Sequence, residues 1–257
     1  MMGVPWRYLP LLSASGSLQM ALDAWLVAEH RAGRMPALLR FYQFSPPALS
    51  LGYHQRAWPT PAVAIDCVRR PTGGRAVLHQ GDLCYSLITS WIGQSRPAVY
   101  RQLCQFLIQG FAVLGCPLSF GTETAAGREA NCFSLSTPAD LVDSAGQKRI
   151  GSAQRWFGTT VLQQGSIPLQ PDPDLWQAAW GRPLPDVSPL PPQDQVIEAL
   201  VAAGRTLWGD PLWPHPLTEE EWAQFSQAQS LSGLPPSPAP AELGRPVDWH
   251  CCTDLPV

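Results

Sequence analysis

The sequence predicts an α+β fold. Three observations carry that expectation. Strand-like stretches separated by glycine-containing turns lie on either side of Gly73-Gly74 and again from Asp140 to Leu169. Two longer stretches repeat apolar residues at three- and four-residue spacing, the period of a helix with one buried face. Past Pro171 the chain turns proline-rich, with short helical patterns only.

At 257 residues the chain is long enough to bury a substantial core in one good-sized domain. A formal net charge of -3 gives no global positive field, so neither nucleic-acid binding nor an anionic membrane is indicated. Only 14% of residues are charged, while 28 prolines and 11 tryptophans point to irregular loops and an apolar groove or surface. No apolar run reaches the roughly 20 residues a bilayer requires. The N-terminus lacks the charged-then-apolar layout of a signal peptide, so a cytoplasmic location is the expectation. Seven cysteines without a Cys-x-x-Cys pair indicate neither a disulfide framework nor a zinc site. Cys67, Cys84, Cys104 and Cys116 sit in apolar contexts, as small buried hydrophobes do. Cys251-Cys252, beside His250, is too isolated for a metal site.

In chain order, Ser17 is expected to cap a helix running to about Gly33, with Leu18, Leu22, Trp25 and Leu26 on its apolar face. A strand follows through Leu38–Phe44, a break at Pro46-Pro47, and a second strand within Ala48–His54. A strand ending near Arg69, the Gly73-Gly74 turn, a strand through Arg75–His79 and a longer strand from Leu83 to Ser90 make the middle of the chain. Arg96–Leu114 has the apolar spacing of one long helix, closed by Gly115. Pro117–Phe120 begins a return strand. Asp140–Val142, a turn at Ser144–Gln147 and Lys148–Gln154 form a hairpin, and Thr159–Leu169 a further strand. Gln193–Trp208 is an amphipathic helix, and Thr218 with Glu221 forms a capping box for another. Ser232–Pro240 is low in complexity. The expected organisation is a catalytic unit over 1–170 and a proline-rich extension over 171–257, with short helices packed on the same domain.

Arg69-Arg-Pro-Thr-Gly-Gly-Arg-Ala-Val-Leu-His79 combines a side-chain-free turn with three fixed positive charges. Backbone N–H groups there can face a ligand, although a plain basic hairpin has the same residue types. Asp23 taken alone is a solvated helix charge, and His79 taken alone is a hydrogen-bonded structural histidine. Lys148 at a hairpin end is ordinarily solvated, and Cys132 beside Phe133 is ordinarily an inert buried thiol.

Together with Tyr85-Ser86, the turn resembles the signature of the lipoate/biotin protein ligase and octanoyltransferase superfamily. Lys148-Arg-Ile-Gly-Ser-Ala-Gln154 matches that superfamily's Lys-x-x-Gly-Ser-Ala-Gln strand, Gln19–Asp23 its opening helix, and Ala48–His54 its second strand. The resemblance covers roughly residues 17 to 170. It implies a mixed or antiparallel sheet packed by helices on one side, with an apolar tunnel and a small helical C-terminal appendage. The implied site is Arg69, Arg70, Thr72, Gly73, Gly74, Arg75, Ala76, His79, Gly151, Ser152, Ala153 and Gln154 around the substrate, with Lys148 against the acyl carbonyl, Asp23 close to the pocket and His79 as pocket wall or proton relay.

Two chemistries share this fold. ATP-dependent ligases make an acyl-adenylate and need no cysteine; transferases pass the acyl group through a cysteine thioester. Cys132, followed by Thr137, Asp140, Leu141 and Val142, resembles the nucleophile segment of one transferase branch, and Gly-Gly-Arg75 resembles the same branch. The implied activity is transfer of an octanoyl (or lipoyl) group from acyl carrier protein to a lysine of a lipoyl domain, such as glycine cleavage H protein or a dehydrogenase E2 component. Cys132 and Lys148 would be catalytic. No cofactor is required, and ATP and magnesium only if the chain is a ligase. Arg69, Arg70 and Arg101 are candidate docking charges for acidic partners. The rivals are a lipoate–protein ligase, a lipoyl-domain amidotransferase, and a non-catalytic acyl- or carrier-binding protein. One departure supports the last: Gln164-Gly165-Ser166 stands where the superfamily usually has His-Gly. Pro138 is also shifted relative to the usual pattern.

Overall fold

The computed structural model describes residues 6–56, 62–121, 137–185, 188–209 and 212–232. Ten strands and six helices lie among them: β1 (Trp6–Ala14), α1 (Gly16–Arg31), β2 (Ala37–Phe44), β3 (Ala48–Leu51), β4 (Asp66–Arg69), β5 (Val77–His79), β6 (Asp82–Ser90), α2 (Arg96–Leu103), α3 (Gln105–Val113), β7 (Ser119–Phe120), β8 (Leu141–Val142), β9 (Lys148–Phe157), β10 (Thr160–Pro168), α4 (Pro173–Trp180), α5 (Gln193–Trp208) and α6 (Glu219–Ser232). Seven of the strands form one mixed sheet in the order β1-β2-β6-β10-β9-β8-β7. The β1/β2 pair is parallel and the rest antiparallel. The other three make a small sheet, β4-β3-β5.

Alternation along the central strands sends successive side chains to opposite faces. Leu39, Phe41, Leu83, Tyr85 and Leu87 meet Leu103, Phe106 and Phe111 of α2 and α3 and Val196 and Leu200 of α5. Leu38, Ile88 and Leu162 meet Leu22, Trp25 and Leu26 of α1 and Phe225 of α6. Helices therefore cover both faces of the sheet, not one. A strand buried on both sides needs a cover on both, and the C-terminal helices supply part of each. Gly110 marks how closely α3 and α5 cross, since a Cβ there would stand 2.8 Å from Leu200 Cδ2.

Several local expectations shift. Ser15, not Ser17, caps α1, its Oγ accepting from the Leu18 amide. The stretch expected as one helix is two, parted at Cys104. The break costs little hydrogen bonding, because the Cys104 N–H bonds to Tyr100 and its carbonyl accepts from Leu107 and Ile108. β1 is an additional strand. It holds Pro10 between Leu9 and Leu12, where its register slips, and it occupies the sheet edge, where a residue without an N–H is tolerated. α4 is also additional, capped by Asp172 and closed by Gly181 at φ +68°. The capping box forms as expected, Thr218 N donating to Glu221 and Glu221 N to Thr218 Oγ1.

Candidate active site

The strands on either side of the Gly-Gly turn are not a hairpin. β3 lies between them, pairing β4 in parallel and β5 antiparallel, so the turn arches over the end of β3. Gly74 takes φ +94°, a left-handed conformation that favours glycine. A second loop begins at Gly52, directly against it: a Cβ on Gly52 would stand 1.8 Å from the Gly74 carbonyl oxygen.

Two arginines fix this pair of loops from below. Arg70 is 8% exposed, and its guanidinium donates to Ser50 O and Oγ, to Gly73 O through two nitrogens, and to Arg75 O. Arg69 donates to the carbonyls of Gly52 (2.7 Å) and Gln55 (2.8 Å). Arg70 is thus a pin for the turn, with its charge turned inward. That direction does not suit docking of an acidic protein, whereas Arg101 is exposed, over the Phe120 ring. Arg75 and Gly73 are half-buried, Gly74 exposed, and Thr72 and Ala76 buried.

His79 stacks on Phe44 with ring centroids 3.9 Å apart. Its Nε2 meets Ser50 Oγ and its Nδ1 meets Asp82 Oδ2, both at 2.8 Å, so both ring nitrogens are engaged. Asp82 also accepts from Ser166 Oγ at 2.6 Å and from Cys84 Sγ. Burial pushes the Asp82 carboxyl up, but His79, Ser166 and Cys84 together outweigh it and hold the group below its ordinary range. His79, Asp82 and Cys84 offer ligand atoms within 4.8 Å of one another. Each of those atoms already has a hydrogen-bond partner. Burial, with Asp82 alongside, drives the Cys84 thiol well up, and burial raises Cys67 to about 11 and Cys104 to about 12. None of these three thiols is prepared to ionise.

Asp23 is fully buried, which rules out a solvated helix charge. Its Oδ2 accepts from Ser86 Oγ at 2.7 Å and from Gln164 Nε2 at 2.6 Å. Its Oδ1 lies 3.1 Å from Arg40 Nε, an ion pair whose angles fall outside hydrogen-bond geometry. Arg40 also donates to Gln19 and lies over the Tyr42 ring. Gln164 in turn accepts from Thr72 Oγ1 at 2.7 Å. Thr72, Gln164 and Asp23 thereby form a chain from the turn, through β10, to α1.

Lys148 Nζ lies 2.8 Å from Asp140 Oδ1, with both side chains nearly enclosed. The other Asp140 oxygen accepts from Thr137 N and Oγ1, and the Asp140 carbonyl accepts from Gly121 N. Tyr100 OH donates to Ala139 O and to Ser152 O, tying this turn to β9. Cys132 lies outside the described residues, five positions before Thr137 in the chain.

The pleat of β9 divides its motif. Gly151 and Ala153 stand opposite Ser166 and Gln164 and share their face, toward α1 and the turn. Ser152 and Gln154 point to the other face, where they bond Tyr85 OH and Gln163. Gly165 is needed there, because a Cβ would meet Tyr85 Cε1 at 2.2 Å. Arg155, which the sequence did not single out, lies against the rings of both Tyr53 and Phe157 and reaches Pro71 O. Arg40 was also missed. A charged residue within Leu38-Leu39-Arg40-Phe41-Tyr42 was the available sign of a buried ion pair.

Residues 15–189 match the model of the lipoyl protein ligase A/B catalytic domain family. Octanoyltransferase LipM of Moorella thermoacetica is 38% identical over 179 residues, covering 64% of this chain and 65% of that protein. The Bacillus subtilis protein of the same name is 36% identical over 187 residues, covering 66% and 67%. The chain thus spans about two thirds of the length of these curated relatives. Among solved structures, a lipoate-protein ligase A bound with ATP has a TM-score of 0.66 at 22% identity, over 90% of this chain and 95% of that one. A bipartite lipoate protein ligase from Thermoplasma acidophilum, described with its E2 lipoyl domain, has 0.63 at 19%, over 88% and 93%. At those identities the likeness is one of fold.

Proposed function

We propose, on the premise that the chain belongs to the lipoyl protein ligase A/B catalytic-domain family, that it is an octanoyltransferase of protein lipoylation. The single observation that carries this reading is the likeness to octanoyltransferases LipM, in a chain whose family match, residues 15–189, holds the turn, Cys132 and Lys148. The acyl donor is acyl carrier protein and the acceptor a lysine of a lipoyl domain. An E2 lipoyl domain is named beside one fold neighbour, which supports that class of acceptor.

In the first half-reaction the Cys132 thiolate attacks the donor thioester carbonyl. The tetrahedral adduct collapses, expelling the carrier's thiolate and leaving an octanoyl thioester on the enzyme. In the second, the acceptor amine attacks that thioester, loses a proton and expels Cys132. Thioester-to-thioester exchange is nearly isoenergetic, and amide formation then draws the sequence forward. Lys148 is proposed to sit beside both adducts, favouring the thiolate and the oxyanion. Its pairing with Asp140, which also holds Thr137, supports a fixed position for it. The Gly73-Gly74 turn, Gly151 and Ala153 are proposed to line the acyl pocket, and no cofactor enters either step.

A donor exchange tests this. Wild-type protein is given a lipoyl domain with either octanoyl-acyl carrier protein or octanoate plus ATP and magnesium. Transfer from the first alone is expected; transfer only from the second would establish a ligase instead.

A further inference from the structure

We propose that Gln164 is a positioning residue whose single buried amide locks the Gly73-Gly74 turn, and with it the Gly52 loop, against helix α1. The geometry is specific. Gln164 is 5% exposed at the middle of β10, opposite Ser86 and Ala153. Asp23 has only acceptor oxygens as a carboxylate, so the Gln164 atom 2.6 Å from it must be the donating nitrogen. The amide oxygen is then the acceptor for Thr72 Oγ1 at 2.7 Å. One uncharged group therefore accepts from the turn and donates to the helix.

Both ends of this chain are anchored. Asp23 is held by Ser86 Oγ and by the Arg40 ion pair, which fixes it to β6 and β2. Thr72 passes the constraint on, since its carbonyl accepts from Tyr53 N at 2.9 Å. Gly52, one residue earlier, packs with its Cα against the Gly74 carbonyl. Losing the amide bond to Thr72 loosens the turn and the neighbouring loop together, while Arg70 still holds Gly73 and Arg75, and Arg69 still holds Gly52 and Gln55.

The chemistry supplies a discriminating substitution. A protonated glutamic acid at position 164 reproduces both bonds, its carbonyl accepting from Thr72 and its O–H donating to Asp23. Once ionised it sets a carboxylate against a carboxylate, and the lock opens. Such a pair shares its protons, so ionisation is pushed above the ordinary glutamate range. The other titratable or charged groups facing this point are Arg40 and Tyr42 on β2, Cys84 and Asp82 on β6, His79 on β5 and Arg155 on β9. All are common to wild type and variant, so the comparison isolates position 164.

The experiment compares wild type, Gln164→Glu and Gln164→Leu at about pH 5.5 and about pH 8. Hydrogen exchange is followed in peptides covering 51–55 and 69–76, with melting temperature as a check on folding. At the lower pH the Glu variant should exchange like wild type. At the higher pH both segments should exchange faster in it by roughly tenfold, as in the Leu variant at either pH. Because the functional consequence rests on the transferase reading, the KM for octanoyl-acyl carrier protein is measured alongside. It should rise by roughly the same factor at the higher pH, with kcat changed less. Equal exchange in wild type and the Glu variant at both pH values overturns the proposal, as does a Glu variant equally loose at both. If the loops loosen while KM stays constant, the positioning role is refuted. If wild type transfers no acyl group, the transferase reading fails, and the exchange data alone decide the role of Gln164.

Discussion

Replacing Arg70 by methionine removes a guanidinium while keeping most of its length and apolar stem. Among the described residues, five hydrogen bonds are lost, to four acceptors: Ser50 O, Ser50 Oγ, Gly73 O and Arg75 O. Those four do not lose equally. Gly73 and Arg75 lie in a half-exposed turn, where water replaces much of what is removed, whereas Ser50 is 1% exposed. Hydrogen bonds to a charged donor contribute about 1.5–3 kcal/mol, and a buried acceptor left unpaired costs about 1–3 kcal/mol. Counting the Ser50 side in full and the turn side lightly gives a loss of about 3 to 4 kcal/mol. For a chain of this size that lowers the melting temperature by roughly 6 to 16 °C. The assay is calorimetric or far-ultraviolet melting of wild type and Arg70→Met at two salt concentrations. The stability loss should be largely insensitive to salt, because the interactions are buried. A melting temperature within about 2 °C of wild type would refute the assignment of Arg70 as the pin of the turn.

Two further outcomes follow from particular contacts. Gly165→Ala places a Cβ 2.2 Å from Tyr85 Cε1 and 2.8 Å from Ser152 Oγ, so the sheet must part there. A destabilisation of about 1–3 kcal/mol is expected in urea unfolding, and a neutral result would contradict the close packing of β6, β10 and β9. Glu221 is held down to about 2 from its ordinary 4.5, chiefly by its hydrogen bonds from Arg7. Its folded value is depressed, so its stabilisation is full above about pH 4.5 and fades as pH falls toward 2. Glu221→Gln should therefore melt lower than wild type at neutral pH, and the gap should close across that acid window. A gap that is constant from pH 7 to about pH 3 would exclude the linkage.

The fold was legible where local signals and burial agree. The limits of α5 and the Thr218–Glu221 box were readable because a capping box and a 3.6-residue period are properties of contiguous residues. β1 was not, because Pro10 breaks the strand pattern and only an edge position makes it acceptable. α4 had a readable cap in Asp172-Pro173 and a stop in Gly181, overshadowed by the surrounding prolines. Helices on both faces could not be foreseen, since periodicity tells which face of a helix is buried but not against what.

In the site, the turn and the Lys148 strand were legible as short motifs. What joins them to the rest was not. Thr72 meets Gln164 across 92 positions of chain and Asp23 meets Gln164 across 141. No local pattern encodes such pairings. Arg70 illustrates a second limit: its residue type gives the charge, while only the path of the backbone turns that charge inward. Gln164, legible only as a departure from a family pattern, proves in the structure to be the bridge between turn and helix.

The proposed reaction passes through a covalent acyl-enzyme on Cys132. Its most direct test is intact-mass spectrometry of the protein mixed with octanoyl-acyl carrier protein in the absence of ATP, for wild type and Cys132→Ala. A hydroxylamine-labile octanoyl adduct is expected on wild type and none on the variant. Absence of an adduct on wild type, with acyl transfer appearing only when ATP and magnesium are added, would contradict it.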